Sequence, residues 1–257
     1  MTPVEEVLSR FPKRRPPLPR AQQAIYEREY LANREGRHFA SALAQKLEGW
    51  MHRAVSDAIG SGRVLEVGAG TLNQVPYFKN KTIDGYDVVE PARFLYENSP
   101  WKGSIRRFYR DVDECRDSYD AIFSVAALEH IVNLPQVLAK MGLLLSPDGV
   151  CVNAIPSEGG FLWGTAWRLS TGLAYRLRTG FSYRTLLRHE HVNDHDEIIA
   201  LHRHFFRQCR LTYFPAQGKH ASLYCCIVAQ APRLDVCSQW AAAATSSLGV
   251  SKSLSSM

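Results

Sequence analysis

The stretch Val64–Thr71, VLEVGAGT, constrains this chain more than any other. Val64, Leu65 and Val67 form a short apolar, β-branched run of the kind a parallel strand buried on both faces requires. Gly68 and Gly70, flanking Ala69, then break the strand with residues that accept positive φ and let a ligand approach the backbone. The segment from Thr71 to Phe78 is expected to start a helix whose free N–H groups point back at that ligand. Glu66, inside an apolar strand, is costly to bury unpaired, so it is expected to face the ligand or to collect hydrogen bonds. Asp87, in the next apolar run TIDGYDVVEP, stands near the end of the neighbouring strand. A carboxylate there suits a bidentate hold on ribose hydroxyls, with Glu90 as the alternative holder. The third glycine of a GxGxxG dinucleotide fingerprint is missing, with Asn73 in its place. The pattern predicts a nucleoside site without a pyrophosphate.

Further strand-like runs follow at 104–109, 119–125 and 150–155, separated by helical patterns near 91–98 and 134–144. Strands alternating with helices at this spacing predict a doubly wound α/β sheet, mostly parallel. Ser146–Gly149, SPDG, is expected to be a turn. A helix is expected over 194–206, then two strands at 210–214 and 222–229. The link between those two is too short for a crossover helix, so they are expected to be antiparallel. Around this core the reading places a Pro- and Arg-rich extended arm over residues 1–20 and a helical cap over 21–59. The main domain covers 60–232, with a substrate-covering insertion at 157–206, and 233–257 is expected to be a disordered tail.

Hydrophobic residues make up 46% and charged residues 22% of the 257 positions, ordinary for a globular chain with a sizeable core. No apolar run is long enough to span a bilayer, and the start lacks an apolar leader. The six cysteines show no CxxC spacing and read as reduced, buried thiols of a cytoplasmic protein. A net charge of +6 favours an anionic partner mildly. The basic residues are scattered without aromatic interleaving, so nucleic acid is not indicated.

Taken together, VLEVGAGT, GYDVVEP, the Asp111-Val112 pair, YDAIFSVAALEHI and LLLSPDGVCVNAIP resemble class I S-adenosylmethionine-dependent methyltransferases of the type 11 group. The resemblance covers about residues 60–156 and implies a seven-stranded Rossmann-like sheet with a reversed last strand. It implies that Glu66, Gly68, Ala69 and Gly70 surround the methionine part of the cofactor. Asp87, with Val88, would take the ribose, Asp111 and Val112 the adenine, and Ser124 to Ala126 would lie below the sulfonium. The 157–206 segment is similar to insertions in bacterial methyltransferases of polysaccharide or secondary-metabolite type, an analogy that sets no substrate.

The acceptor end is less constrained. His130 is the candidate general base, since imidazole accepts a proton at neutral pH; its alternative role is to cap the following turn. Glu158 follows the fifth strand on a glycine loop, a usual place for substrate contacts, or is a solvated carboxylate. Trp50, Phe161, Trp163 and Trp167 are candidates for an apolar wall, with His191 and Asn193 on a polar lid. Arg34, His38 and His52 could line the same pocket. Five histidines between His189 and His204 raise a metal site, but no recognised ligand spacing is complete, and none is expected. The leading expectation is methyl transfer to an oxygen of a small molecule or glycan. The alternatives are RNA or protein methylation, and a scaffold that binds the cofactor without turnover.

Overall fold

The computed structural model describes residues 3–23, 25–26 and 42–242. The strands are β1 (Gly62–Val67), β2 (Ile83–Val89), β3 (Arg107–Tyr109), β4 (Tyr119–Val125), β5 (Leu145–Pro156), β6 (Phe206–Pro215) and β7 (Ser222–Pro232). They form one sheet in the order β3-β2-β1-β4-β5-β7-β6. The pairs from β3 through to β5 are parallel, and β7 runs antiparallel to both β5 and β6. The chain winds from β1 out to β3 and returns to β4 on the other side of β1. This reversal opens a crevice at the C-terminal ends of β1 and β4, where ligands of such sheets sit.

Alternation within the strands divides the core in two. Leu65, Val67 and Ile122 face one layer, with Leu134, Leu138 and Met141 of the helix Leu134–Leu144 and Ile198 and Phe205 of the helix His195–Phe205. Val64, Val88, Phe123 and Val152 face the other layer, against Met51, Val55 and Ile59 at the helix Ala42–Ala58. Each fully buried aliphatic side chain contributes about 1.5–3 kcal/mol. The Asp194 carboxylate accepts the Asp196 and Glu197 N–H groups, and Glu197 reciprocates, which starts the helix at His195.

Several expectations need correcting. No regular helix follows the glycine turn: Leu72 takes φ 67°, and only a single 3-10 turn forms at Val75–Phe78, where Pro76 lacks an N–H. Ser146–Gly149 bulges within β5, since Leu145 pairs with Tyr119 and Val150 with Ala121. The N-terminal arm is not wholly extended, because Val4–Leu8 is helical and buries Val7 in the core. The expected tail begins too early: residues 234–242 are helical, Cys237 is buried, and Trp240 sits edge-on to Phe205. Arg34 and His38 lie outside the described residues.

Candidate functional site

The crevice has a volume of about 470 Å³. Glu66, Gly68, Ala69 and Gly70 line it from the glycine turn, and Val125 and Ala126 from the end of β4. Met51 and His52 line it from the Ala42–Ala58 helix, together with Glu129, His130, Trp163, Trp167 and His191. Sequence reasoning missed Met51 and Glu129.

The glycine turn is built as the sequence requires. Gly68 takes φ 76° and Gly70 φ 51°. A Cβ on Gly68 would lie 2.5 Å from the Ala127 Cβ, whereas one on Gly70 would meet nothing within 4 Å. Gly68 N–H donates to the Val89 carbonyl at 2.8 Å, and Gly70 N–H donates to Glu90 Oε2 at 2.8 Å. The other Glu90 oxygen accepts from Ala92 N–H at 2.9 Å, so this carboxylate is fixed at the end of β2 beside the turn. Glu66 is 2% exposed and accepts a hydrogen bond from the Tyr86 hydroxyl. Burial pushes its carboxyl up to about 8, opposed by the Tyr86 bond and assisted by the nearby Glu90 charge. The open face at Gly70 and the polar groups around it fit the amino acid and ribose parts of a nucleoside ligand.

Asp87 does not belong to this set. It is fully buried, accepting from Arg106 Nε at 2.8 Å, from Arg106 Nη2, and from the Tyr119 hydroxyl at 2.9 Å. Its carboxylate is 0% exposed and held by the Arg106 guanidinium, whereas Glu90, 7% exposed, sits against the glycine turn through the Gly70 N–H. Val88 is enclosed in the core, and Val112 is buried beside β3. Asp111 is exposed after β3, its carboxylate accepting from Asp113 N–H at 2.9 Å. Ser124 is buried within β4 and does not line the crevice, while Val125 does.

Around Glu129 and His191, two distant segments are laced together. Val192 and Asn193 N–H groups donate to the Glu129 carbonyl at 2.8 and 3.1 Å. The Asn193 side chain donates to the Leu128 and Ile131 carbonyls at 2.8 and 2.7 Å. Asn193 is therefore a brace, 1% exposed, not a lid contact. The brace sets His130 and His191 edge to face, with ring centroids 4.8 Å apart. His130 Nδ1 lies 3.0 Å from the Glu190 carbonyl, and His191 Nδ1 lies 2.7 Å from Glu158 Oε2. Burial works against a charge on His191, but the Glu158 bond, with Glu129 and Glu190 nearby, outweighs it and raises its pKa. The N-terminal arm closes over this layer. Arg15 donates to the His130, His189 and Glu190 carbonyls at 2.9–3.1 Å, and Lys13 to the Val192 carbonyl at 2.7 Å.

Trp163 and Trp167 line the crevice, and Trp50 does not. Trp50 stacks on Phe214 at 5.3 Å, on another face of its helix from Met51, and Phe161 is 74% exposed. Among the other histidines, His202 is a core residue paired with Asn153 and pushed down to about 4 by burial.

The Glu66 environment gives a pH prediction. A carboxyl whose folded pKa lies above its ordinary value stabilises the fold fully below about 4.5 and loses that contribution as pH rises through about 8. Glu66→Gln should therefore be more stable than the ligand-free parent at pH 8 by about 2–4 kcal/mol, and scarcely different at pH 4.5. Urea unfolding at the two pH values checks this; an equal difference at both would refute it.

A family model described as a methyltransferase domain matches residues 32–205. Among solved structures, the chain is similar to an SAM-dependent methyltransferase of Thermotoga maritima described as a possible histamine N-methyltransferase. The identity is 17%, the TM-score 0.56, and the match covers 80% of this chain and 98% of that one. It is also similar to the plantazolicin methyltransferase BpumL in complex with SAH, at 12% identity and TM-score 0.56, over 89% and 99% of the two chains. An O-methyltransferase family protein of Burkholderia thailandensis matches at 12% identity and TM-score 0.54, over 88% and 68%. A search of curated proteins finds no match. At these identities the solved structures establish the shared fold.

Proposed function

Because this chain belongs to the class I methyltransferase family, with S-adenosylmethionine as donor, we propose that it methylates an oxygen of a small molecule or sugar. The observation that carries this reading is the pair of imidazoles, His130 and His191, lining the same crevice as the glycine turn. When bound, S-adenosylmethionine supplies an electrophilic methyl on a cationic sulfur. The chain's task is then to hold an acceptor oxygen in line and to relieve it of its proton. A carbonyl only accepts, so His130 Nδ1 carries its hydrogen toward Glu190 and the ring's lone pair is left on Nε2. His191 is oriented in the same way by Glu158. Trp163 and Trp167 supply an apolar wall that suits a compact acceptor. Glu158, the other catalytic candidate, acts in this reading through His191. Asp111 and Val112 are kept as the adenine side of the cofactor site.

The ribose hold is assigned to Glu90. Glu90→Gln should weaken cofactor binding by about 1–3 kcal/mol and cost about 1 kcal/mol of stability, because the amide nitrogen leaves one of the two N–H groups that Glu90 receives without an acceptor. Asp87→Ala should instead cost about 3 kcal/mol of stability by leaving the Tyr119 hydroxyl orphaned and Arg106 partly unpaired, with cofactor affinity unchanged. Calorimetry and urea unfolding on both variants separate the roles; an affinity loss confined to Asp87→Ala would reverse the assignment.

We also place the protein in the cytoplasm, a location that suits its six free cysteines. No helix among the described residues is long and apolar enough to cross a membrane. The test of the reaction is to incubate the protein with S-adenosylmethionine and pools of phenols, alcohols and sugars, follow S-adenosylhomocysteine, and locate the methyl by NMR. An O-methyl product is expected. A methyl on nitrogen or carbon, or transfer only to RNA or protein, overturns the acceptor assignment. Cofactor binding without turnover on any class of acceptor would favour the scaffold reading.

A further inference from the structure

The polar end of the crevice holds more than two imidazoles. Glu129, His130 and His191 each offer a ligand atom, and these atoms lie within 4.8 Å of one another. Glu129 is 2% exposed, and its Oε2 has no hydrogen-bond partner. A buried carboxylate oxygen left in this state is costly unless a cation or a donor meets it. In both histidines Nδ1 is already engaged, by the Glu190 carbonyl in one and by the Glu158 carboxylate in the other. Nε2 is therefore the nitrogen each ring has left. An imidazole anchored through one nitrogen to a carbonyl or carboxylate, with the other nitrogen open, is the arrangement that orients a metal-bound histidine. The Asn193 brace holds the two segments that carry these groups in register.

We infer that Glu129, His130 and His191 form a site for one divalent first-row transition-metal ion, placed where the methyl acceptor binds. Two imidazoles and one carboxylate match zinc, cobalt, iron or manganese better than magnesium or calcium, which take oxygen ligands. Zinc and cobalt should bind more tightly than manganese. Three protein ligands leave coordination positions for an acceptor hydroxyl. The ion's role in catalysis rests on the methyl-transfer reading above; the site itself does not. In that role the O–H bond of the held acceptor breaks, its proton leaving to solvent. The O–CH₃ bond forms as the S–CH₃ bond breaks, and the sulfonium becomes a neutral thioether. His130 then serves as a ligand that positions the hydroxyl, not as the direct proton acceptor.

The test uses the full chain without cofactor or acceptor. Cobalt(II) titrated into chelator-treated protein should give one equivalent of a saturable visible absorption band, displaced by zinc. His191→Ala and Glu129→Gln should each weaken binding more than about 100-fold, and Glu158→Gln by about 10–100-fold through loss of the anchor on His191. Nitrogen-15 NMR of the parent protein with zinc, which needs no variant, should shift Nε2 of His130 and His191 and no other histidine. The absence of saturable binding overturns the inference, as do shifts at other histidines or binding that survives His191→Ala in folded protein. Calorimetry with S-adenosylmethionine on the same samples keeps the two readings apart. Cofactor binding and turnover in protein that shows no saturable cobalt binding would sink the metal site alone, while metal binding without any methylated product would sink the reaction.

Discussion

Gly68→Val should lower S-adenosylmethionine affinity by more than about 100-fold, a loss of nearly 3 kcal/mol. The cause is internal. The added Cβ would lie 2.5 Å from the Ala127 Cβ, and a β-branched residue resists the φ of 76° that this turn needs. The turn must shift, and with it the Gly70 N–H that now meets Glu90. The variant should also unfold at a lower temperature. Gly70→Ala provides the contrast. Its Cβ would project into open space, so the fold should lose only the roughly 1 kcal/mol of a left-handed alanine. Its affinity should fall because that open space is where the ligand approaches. Isothermal calorimetry with a parallel thermal melt checks both, and parent-like affinity in Gly68→Val would remove the turn from the cofactor site.

The second large effect belongs to the acceptor end. His130→Ala should lower turnover by about 10²–10⁴-fold while cofactor affinity stays near that of the parent. The stability cost should be about 1 kcal/mol, that of one hydrogen bond to the Glu190 carbonyl. The effect does not depend on whether Nε2 takes the acceptor's proton or holds a cation against it, since both use the same lone pair. A variant that keeps near-parent turnover with its true acceptor, and loses only thermal stability, would show His130 to be structural.

Where periodicity and turn chemistry act locally, the sequence was a sufficient guide. β4 and the helix Leu134–Leu144 fall where the pattern put them, and the short link before β7 required the reversed pairing. Side-chain direction was harder to read. β2 is buried on both faces, so its apolar run shows no alternation, and nothing in it said that Asp87 turns inward to Arg106 while Glu90 stays at the strand end. Trp50 and Met51 are adjacent, and on a helix one residue is about a 100° rotation, so the aromatic was chosen and its neighbour lines the crevice. His130 and His191 were each singled out, but their meeting depends on Asn193 bonding across to the Leu128–Ile131 turn. Glu129 was passed over, because its unpartnered oxygen is a property of three-dimensional packing.

The clasp formed by Arg15 and Lys13 has a consequence for synthesis. The turn and carboxylate at the donor end draw on the chain between β1 and the residues just after β4, so they can assemble while the ribosome is still working. The acceptor end cannot. Its first fasteners leave the exit tunnel early, yet their partners, the carbonyls of His189, Glu190 and Val192, emerge long afterwards. On the proposed reading, a nascent chain thus acquires its grip on the methyl donor before it owns a place for the recipient.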